Sequence, residues 1–167
     1  MTQPSGPPRI LFVCLGNICR SPSAHGVFRA KAQAAGLEVV TDCAGTGDWH
    51  IGQPPDARAM RAARARGYDL SDLRARQFRP EDFTKFDLIL AMDRRNLRTI
   101  ETQRPDGSPT PVRLFRVLAE PSETEIPDPY MTGVFDDVLT LIEACAEALI
   151  EDIIDGASDR SAEKHRG

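Results

Sequence analysis

Apolar positions fall into two rhythms along this chain, short unbroken runs and longer stretches with a helical repeat. Ile10 to Val13, rich in β-branched and aromatic residues, reads as a buried strand. Ser21-Pro22 then reads as a helix N-cap with proline at the first helical position, and Ala24, Val27, Phe28 and Lys31 keep helical spacing as far as Ala35. Gly36 is the expected stop. Leu37 to Cys43 predicts a second strand, and Pro54-Pro55-Asp56 opens an Ala- and Arg-rich helix that runs to Arg66 and closes at Gly67. Pro80 to Phe83 suggests a turn or helical turn, Phe86 to Met92 a third buried strand, and Asp93 a cap for a helix to Thr102. Val112 to Phe115 is a short fourth strand, and Pro121 to Gly133 a loop. The last helix is expected from about Gly133 to Ile154, with Phe135, Val138, Ile142, Cys145, Leu149 and Ile153 on one stripe.

Strands alternating with helices predict an α/β fold: a single doubly wound domain with a four-stranded parallel sheet flanked by helices on both faces, binding its ligand at strand C-termini. The domain is expected over residues 8–155, with flexible tails at 1–7 and 156–167. A length of 167 residues suits one core.

Composition narrows the function mainly by exclusion. A net charge of −4 argues against a nucleic-acid binder, although residues 57–79 hold seven Arg against two Asp. Arg58, Arg61 and Arg64 of that stretch are expected to face solvent. Cysteines at 14, 19, 43 and 145 form no Cys-x-x-Cys pair, and the histidines at 25, 50 and 165 are scattered, so no metal site is expected. No signal peptide and no membrane span is read, and free thiols fit the cytoplasm. Gly45-Thr46-Gly47 is rejected as a dinucleotide fingerprint because His50 occupies the third glycine position.

The chemistry is expected between the first strand and the first helix. Only Cys14, Leu15, Gly16, Asn17, Ile18, Cys19 and Arg20 join them, and a loop that short turns its N–H groups inward as an anion nest, so phosphate is the natural guest. Such a nest beside an arginine favours a thiolate, which makes Cys14 the candidate nucleophile. Arg20 is the candidate clamp, its planar fork matching two phosphoryl oxygens. Gly16 permits tight curvature and Asn17 can hold the loop's shape. Asp128, stiffened by Pro127 and Pro129, is the candidate proton donor for a leaving oxygen.

With Cys14-Leu15-Gly16-Asn17-Ile18-Cys19-Arg20-Ser21-Pro22 near the start and Asp128-Pro129-Tyr130 near the end, the chain resembles the low-molecular-weight protein tyrosine phosphatases over residues 8–154. Asp48-Trp49, Pro55-Asp56-x-Arg58, Ala75-Arg76-Gln77, Glu81-Asp82-Phe83 and Met92-Asp93-x-x-Asn96-Leu97 extend the match. The resemblance implies strand order 2-1-3-4, a phosphocysteine on Cys14, phosphate binding by Arg20 and acid–base work by Asp128. It further implies that Asn17 and Ser21 brace the loop and assist the thiolate, that Trp49 and Tyr130 wall the pocket, and that no metal or other cofactor is needed. The implied partners are phosphotyrosine proteins, met by a monomer. Cys19 is expected to form a reversible disulfide with Cys14 under peroxide, as family members suggest.

Four positions depart from the family pattern. Cys43 stands where many members have serine, His25 replaces a frequent glutamate, and Leu73 falls where some have histidine, which alters the polar network beside the loop. Met131 follows Tyr130 where some members carry a second tyrosine, so a phosphorylation switch is not carried over. The alternatives are a thiol-dependent arsenate reductase, opposed by the lack of cysteine from 44 to 144, and a protein-arginine phosphatase, opposed by Ile18 where those carry threonine. A non-catalytic phosphotyrosine-binding adaptor is opposed by the intact Cys14, Arg20 and Asp128.

Overall fold

The computed structural model describes residues 6–164. Strands β1 (Arg9–Cys14), β2 (Val40–Gly45), β3 (Leu88–Ala91) and β4 (Val112–Leu114) form one parallel sheet in the order β2-β1-β3-β4. Helices α1 (Arg20–Ala34), α2 (Ala57–Ala65), α3 (Asp82–Lys85), α4 (Arg94–Thr102), α5 (Pro129–Thr132) and α6 (Phe135–Lys164) complete the fold.

β1 reads as an unbroken apolar run because both of its faces are covered. Ile10, Phe12 and Cys14 enter the core beneath α1 and α6, while Leu11 and Val13 enter a second core with Phe78, Phe83, Phe86 and Ile100. Phe12 meets Phe28 and Phe115 edge-on at centroid distances of 5.7 and 5.2 Å. The chain leaves β1 for β2 on one side and reaches β3 on the other. The crevice beyond the C-termini of β1 and β3 is therefore the topological switch point, where such sheets bind ligands.

The elements differ from expectation where a side chain has a better use than its local pattern suggests. α1 begins at Arg20 with Cys19 as its cap residue, and Ser21 does not cap, because its hydroxyl is drawn into the loop instead. The end of α1 is as expected: Gly36 has φ 69°, and the Gly36 and Leu37 N–H groups close on Gln33 and Ala32 at 3.1 and 2.9 Å, a Schellman motif. β2 lies at Val40–Gly45, three residues later at its start than the apolar pattern implied, because the Leu37 N–H closes the end of α1 and pairing with β1 begins at Val40. The Pro121–Gly133 loop contains the short helix α5, started by Asp128, whose carboxylate accepts the Tyr130 N–H at 3.0 Å.

α6 buries the expected stripe from Phe135 to Leu149, then continues to Lys164 rather than ending near Ile154. Loss of the apolar stripe removes packing but does not by itself end a helix, and residues 155–164, although they include Gly156, contain no proline. The C-terminal tail expected from 156 is thus helical backbone through Lys164, while residues 1–5 and 165–167 of the two expected tails lie outside the described residues.

Candidate active site

The loop Cys14–Arg20 closes around one small volume because three neighbours hold its back. After β2, the Thr46 and Gly47 N–H groups donate to the carbonyls of Cys14 and Leu15, each at 2.9 Å. Before α2, the Asp56 N–H donates to the Ile18 carbonyl at 2.8 Å. Gly45 permits the approach, since a Cβ there would lie 2.8 Å from the Leu15 carbonyl oxygen. The left-handed residue of the loop is Asn17, at φ 58°, while the missing side chain of Gly16 leaves room for the His50 ring.

Asn17 sits at the centre of the polar scaffold. Its Oδ1 accepts the Arg76 N–H at 2.9 Å, and its Nδ2 donates to Ser21 Oγ at 2.8 Å. Cys14 Sγ receives the Asn17 N–H at 3.2 Å and lies 3.0 Å from Ser21 Oγ. With the Ser21 lone pair occupied by Asn17, its single proton can turn to sulfur or to the Ala44 carbonyl at 3.3 Å. A sulfur bearing negative charge draws that proton to itself.

Arg20 is 3% exposed. Its Nη1 donates to Asp93 Oδ2 at 2.7 Å and to the Ile126 carbonyl at 3.0 Å, and Asp128 Oδ2 lies 3.7 Å from Nη2. Burial opposes its charge, but the Cys14 sulfur, the hydrogen bond to Asp93 and the nearby Asp128 outweigh burial and hold the guanidinium above its ordinary value. Nε and Nη2 make no hydrogen bond among the described residues.

Cys14, Leu15, Gly16, Ile18, Cys19, Arg20, Trp49, His50, Asp128 and Tyr130 line one cavity of about 150 Å³. The sequence-predicted nucleophile, clamp, acid and both wall residues thus meet, with Trp49 66% and Tyr130 45% exposed at the mouth. Asn17 and Ser21 stand behind it as scaffold. Cys19 packs with Ile18, Ala59, Ala75 and Phe135, and burial, with Asp56, Cys14 and Asp128 adding, pushes its thiol up to about 12. Cys14 and Cys19 are both free thiols. On β2, Cys43 Sγ lies 3.4 Å from His25 Nδ1. Burial pushes the Cys43 thiol up to about 12 and, with Arg29, His25 down to about 4. His25, Cys43 and Asp42 together bring three potential ligand atoms within 4.8 Å of one another, a grouping that sequence spacing concealed.

Sequence reasoning passed over three site residues. Asp93 appears locally as a helix cap, and it does accept the Asn96 N–H at 2.7 Å, but its other oxygen holds Arg20. His50 was legible only as the residue that breaks the glycine fingerprint, yet it lines the cavity. Arg58 is exposed, as expected, but it also donates to the Tyr130 carbonyl at 3.0 Å and lies over the Tyr130 and Phe135 rings at 5.5 and 4.9 Å. Its ion pair with Asp56 at 3.1 Å fixes that position, so Arg58 ties α2 to the Asp128 segment.

The sequence profile of the family described as low molecular weight phosphotyrosine protein phosphatase matches residues 9–158. A low molecular weight phosphotyrosine protein phosphatase of Schizosaccharomyces pombe is 46% identical over 75% of this chain and 82% of its own. The low molecular weight protein-tyrosine-phosphatase YfkJ of Bacillus subtilis is 39% identical over 86% of this chain and 94% of its own. The YfkJ crystal structure superposes with a TM-score of 0.85, covering 91% of this chain and 98% of that one. The structure of DARP, described as a drosophila arginine phosphatase, superposes with a TM-score of 0.79 at 28% identity, covering 86% of this chain and 96% of its own.

Proposed function

The chain belongs to the low molecular weight phosphotyrosine protein phosphatase family, a class of phosphoric monoester hydrolases, and from that premise we propose a two-step hydrolysis of phosphotyrosine and small aryl phosphates centred on Cys14. The observation that carries it is a sulfur at the cavity floor, held by Asn17 N–H and Ser21 Oγ, with Asp128 on the rim above.

In the first step Cys14 sulfur attacks phosphorus as a thiolate. The P–S bond forms, the ester P–O bond breaks, and Asp128 gives its proton to the departing phenol oxygen. Arg20, fixed through Nη1, offers Nε and Nη2 to two equatorial oxygens throughout, and the loop N–H groups take the rest of the charge. In the second step Asp128 removes a proton from water, the water oxygen attacks phosphorus, and the P–S bond breaks to return the thiolate. Ser21 and Asn17 serve the sulfur in both steps, because their hydrogen bonds stabilise it as the attacking thiolate in the first and as the departing thiolate in the second. Leu15, Gly16 and Ile18 complete the nest. Cys19 is the redox partner: loss of two electrons to peroxide would join its sulfur to that of Cys14.

Trp49 and Tyr130 leave the nucleophile recessed, so a flat, rigid side chain reaches phosphorus while its backbone stays outside. Phosphotyrosine meets that requirement and phosphoserine is too short. The likeness to DARP favours arginine phosphatase as the second reading, and Ile18 opposes it by offering no hydrogen bond to a guanidinium. We take the enzyme as a monomer in the cytoplasm, acting on phosphoproteins and not on nucleic acid. Four free cysteines suit a reducing compartment, and no helix among the described residues is long and apolar enough to cross a membrane.

Peptides carrying phosphotyrosine, phosphoserine or phosphoarginine test the assignment. Phosphotyrosine should dominate kcat/KM, and Trp49→Ala should reduce it while sparing a small alkyl phosphate. Equal turnover of the three peptides would overturn the substrate choice.

A further inference from the structure

Beside the catalytic cavity lies a wider groove of about 480 Å³, and the two share Leu15, Arg20 and Asp128 along their common rim. The far side of the groove is formed by Arg94, Arg95 and Arg98 of α4. All three are exposed, and their guanidinium groups make no ion pair or hydrogen bond among the described residues. The carboxylates that line the same groove are engaged elsewhere. Asp93 holds Arg20 Nη1 and the Asn96 N–H, each at 2.7 Å, Glu125 accepts the Arg94 N–H at 2.9 Å, and Asp128 accepts the Tyr130 N–H at 3.0 Å. Together with Arg20 the groove sets four positive charges against three carboxylates, a net +1, and the three arginines of α4, without a side-chain partner among the described residues, face a groove continuous with the site of phosphate transfer. The opposite flank of the catalytic cavity is Trp49 and Tyr130, and there Arg58 is already paired with Asp56.

We propose that this groove is a second anion-binding subsite, which takes a carboxylate or a further phosphate borne by the substrate chain within a few residues of the phosphotyrosine. The inference rests on the phosphotyrosine phosphatase reading. An extended peptide advances about 3.3–3.6 Å per residue, so an anionic side chain one to four residues from the phosphotyrosine spans the shared rim and reaches the arginines. Exposed pairs of this kind are individually weak and screened by salt, so the subsite sets substrate preference rather than chemistry.

The test compares phosphotyrosine peptides of one length flanked on both sides by glutamate, by phosphoserine or by glutamine, with a small aryl phosphate as the control. At low salt the wild type should favour one or both anionic peptides by about 3- to 30-fold in kcat/KM, the range for a few exposed charge pairs, and the two arms tell carboxylate from phosphate. High salt and the triple variant Arg94→Gln, Arg95→Gln, Arg98→Gln should both remove the preference and leave aryl phosphate turnover unchanged. If the triple variant does not fold, Arg98→Glu should shrink the preference on its own. No preference in a wild type that turns over aryl phosphate overturns the subsite alone, as does a preference that survives loss of the arginines. No turnover of aryl phosphate by the wild type overturns the phosphatase reading beneath it.

Discussion

At the two ends of the loop, the same side chain meets opposite surroundings. Cys14, at the strand end, has the Asn17 N–H at 3.2 Å and Ser21 Oγ at 3.0 Å from its sulfur. Cys19, at the helix end, has no side-chain hydrogen bond among the described residues and sits among Ile18, Ala59, Ala75 and Phe135, where burial and two acids push its thiol up to about 12. Both are nearly inaccessible, at 2% and 5% exposure, so burial does not distinguish them. The donors do. A thiol becomes a nucleophile where the fold supplies groups that stabilise its negative charge, and it stays protonated where burial and neighbouring negative charges act without such donors.

The largest expected effect tests that contrast directly. Cys14→Ser should abolish essentially all turnover of an aryl phosphate while the fold is kept, and Cys19→Ser should stay within a few-fold of wild type. Equal losses in steady-state assays would break the comparison. Asp128→Ala should slow turnover by about 10²–10⁴-fold, the range for general acid catalysis, and less for leaving groups that need no proton. A uniform loss across a leaving-group series would remove Asp128 from the acid role.

A third cysteine extends the contrast to stability. Cys43 lies beside His25, which burial, reinforced by Arg29, holds at about 4, below its ordinary 6.5. As pH falls the unfolded chain takes up this proton first, so the contribution is complete above about 6.5 and is lost between there and 4, amounting to about 3 kcal/mol. Denaturant titrations at pH 7 and 4.5 should show the loss, and His25→Gln should flatten it. An unchanged pH dependence in that variant would assign the acid sensitivity to other groups. The smallest effect is redox: mild peroxide should give a reversible Cys14–Cys19 crosslink by mass spectrometry, whereas over-oxidised Cys14 alone would contradict the pairing.

What could be read from the chain beforehand follows from the range of each interaction. The strand, loop and first helix were legible because Ile10 to Val13, Gly36 and the Cys14–Arg20 spacing are local signals. The start of α1 was misread because Ser21 has two possible uses, and the one that prevails depends on Asn17 and on β2. Asp93 hid behind its role as a cap, since only the adjacency of β1 and β3 brings it to Arg20. Arg58 does face solvent, but its contacts were hidden for the same reason: its partners Tyr130 and Phe135 are more than seventy positions away along the chain. The end of α6 was placed too early because the apolar stripe marks where a helix packs rather than where it stops.

The claim that Cys14 carries the phosphoryl group is tested most directly by rapid acid quench during turnover of a phosphorus-labelled aryl phosphate, followed by peptide mapping. The account expects label on the peptide containing Cys14 in the wild type and in Cys19→Ser, and none in Cys14→Ser. Label on any other residue, or turnover with no labelled protein at any quench time, would contradict it.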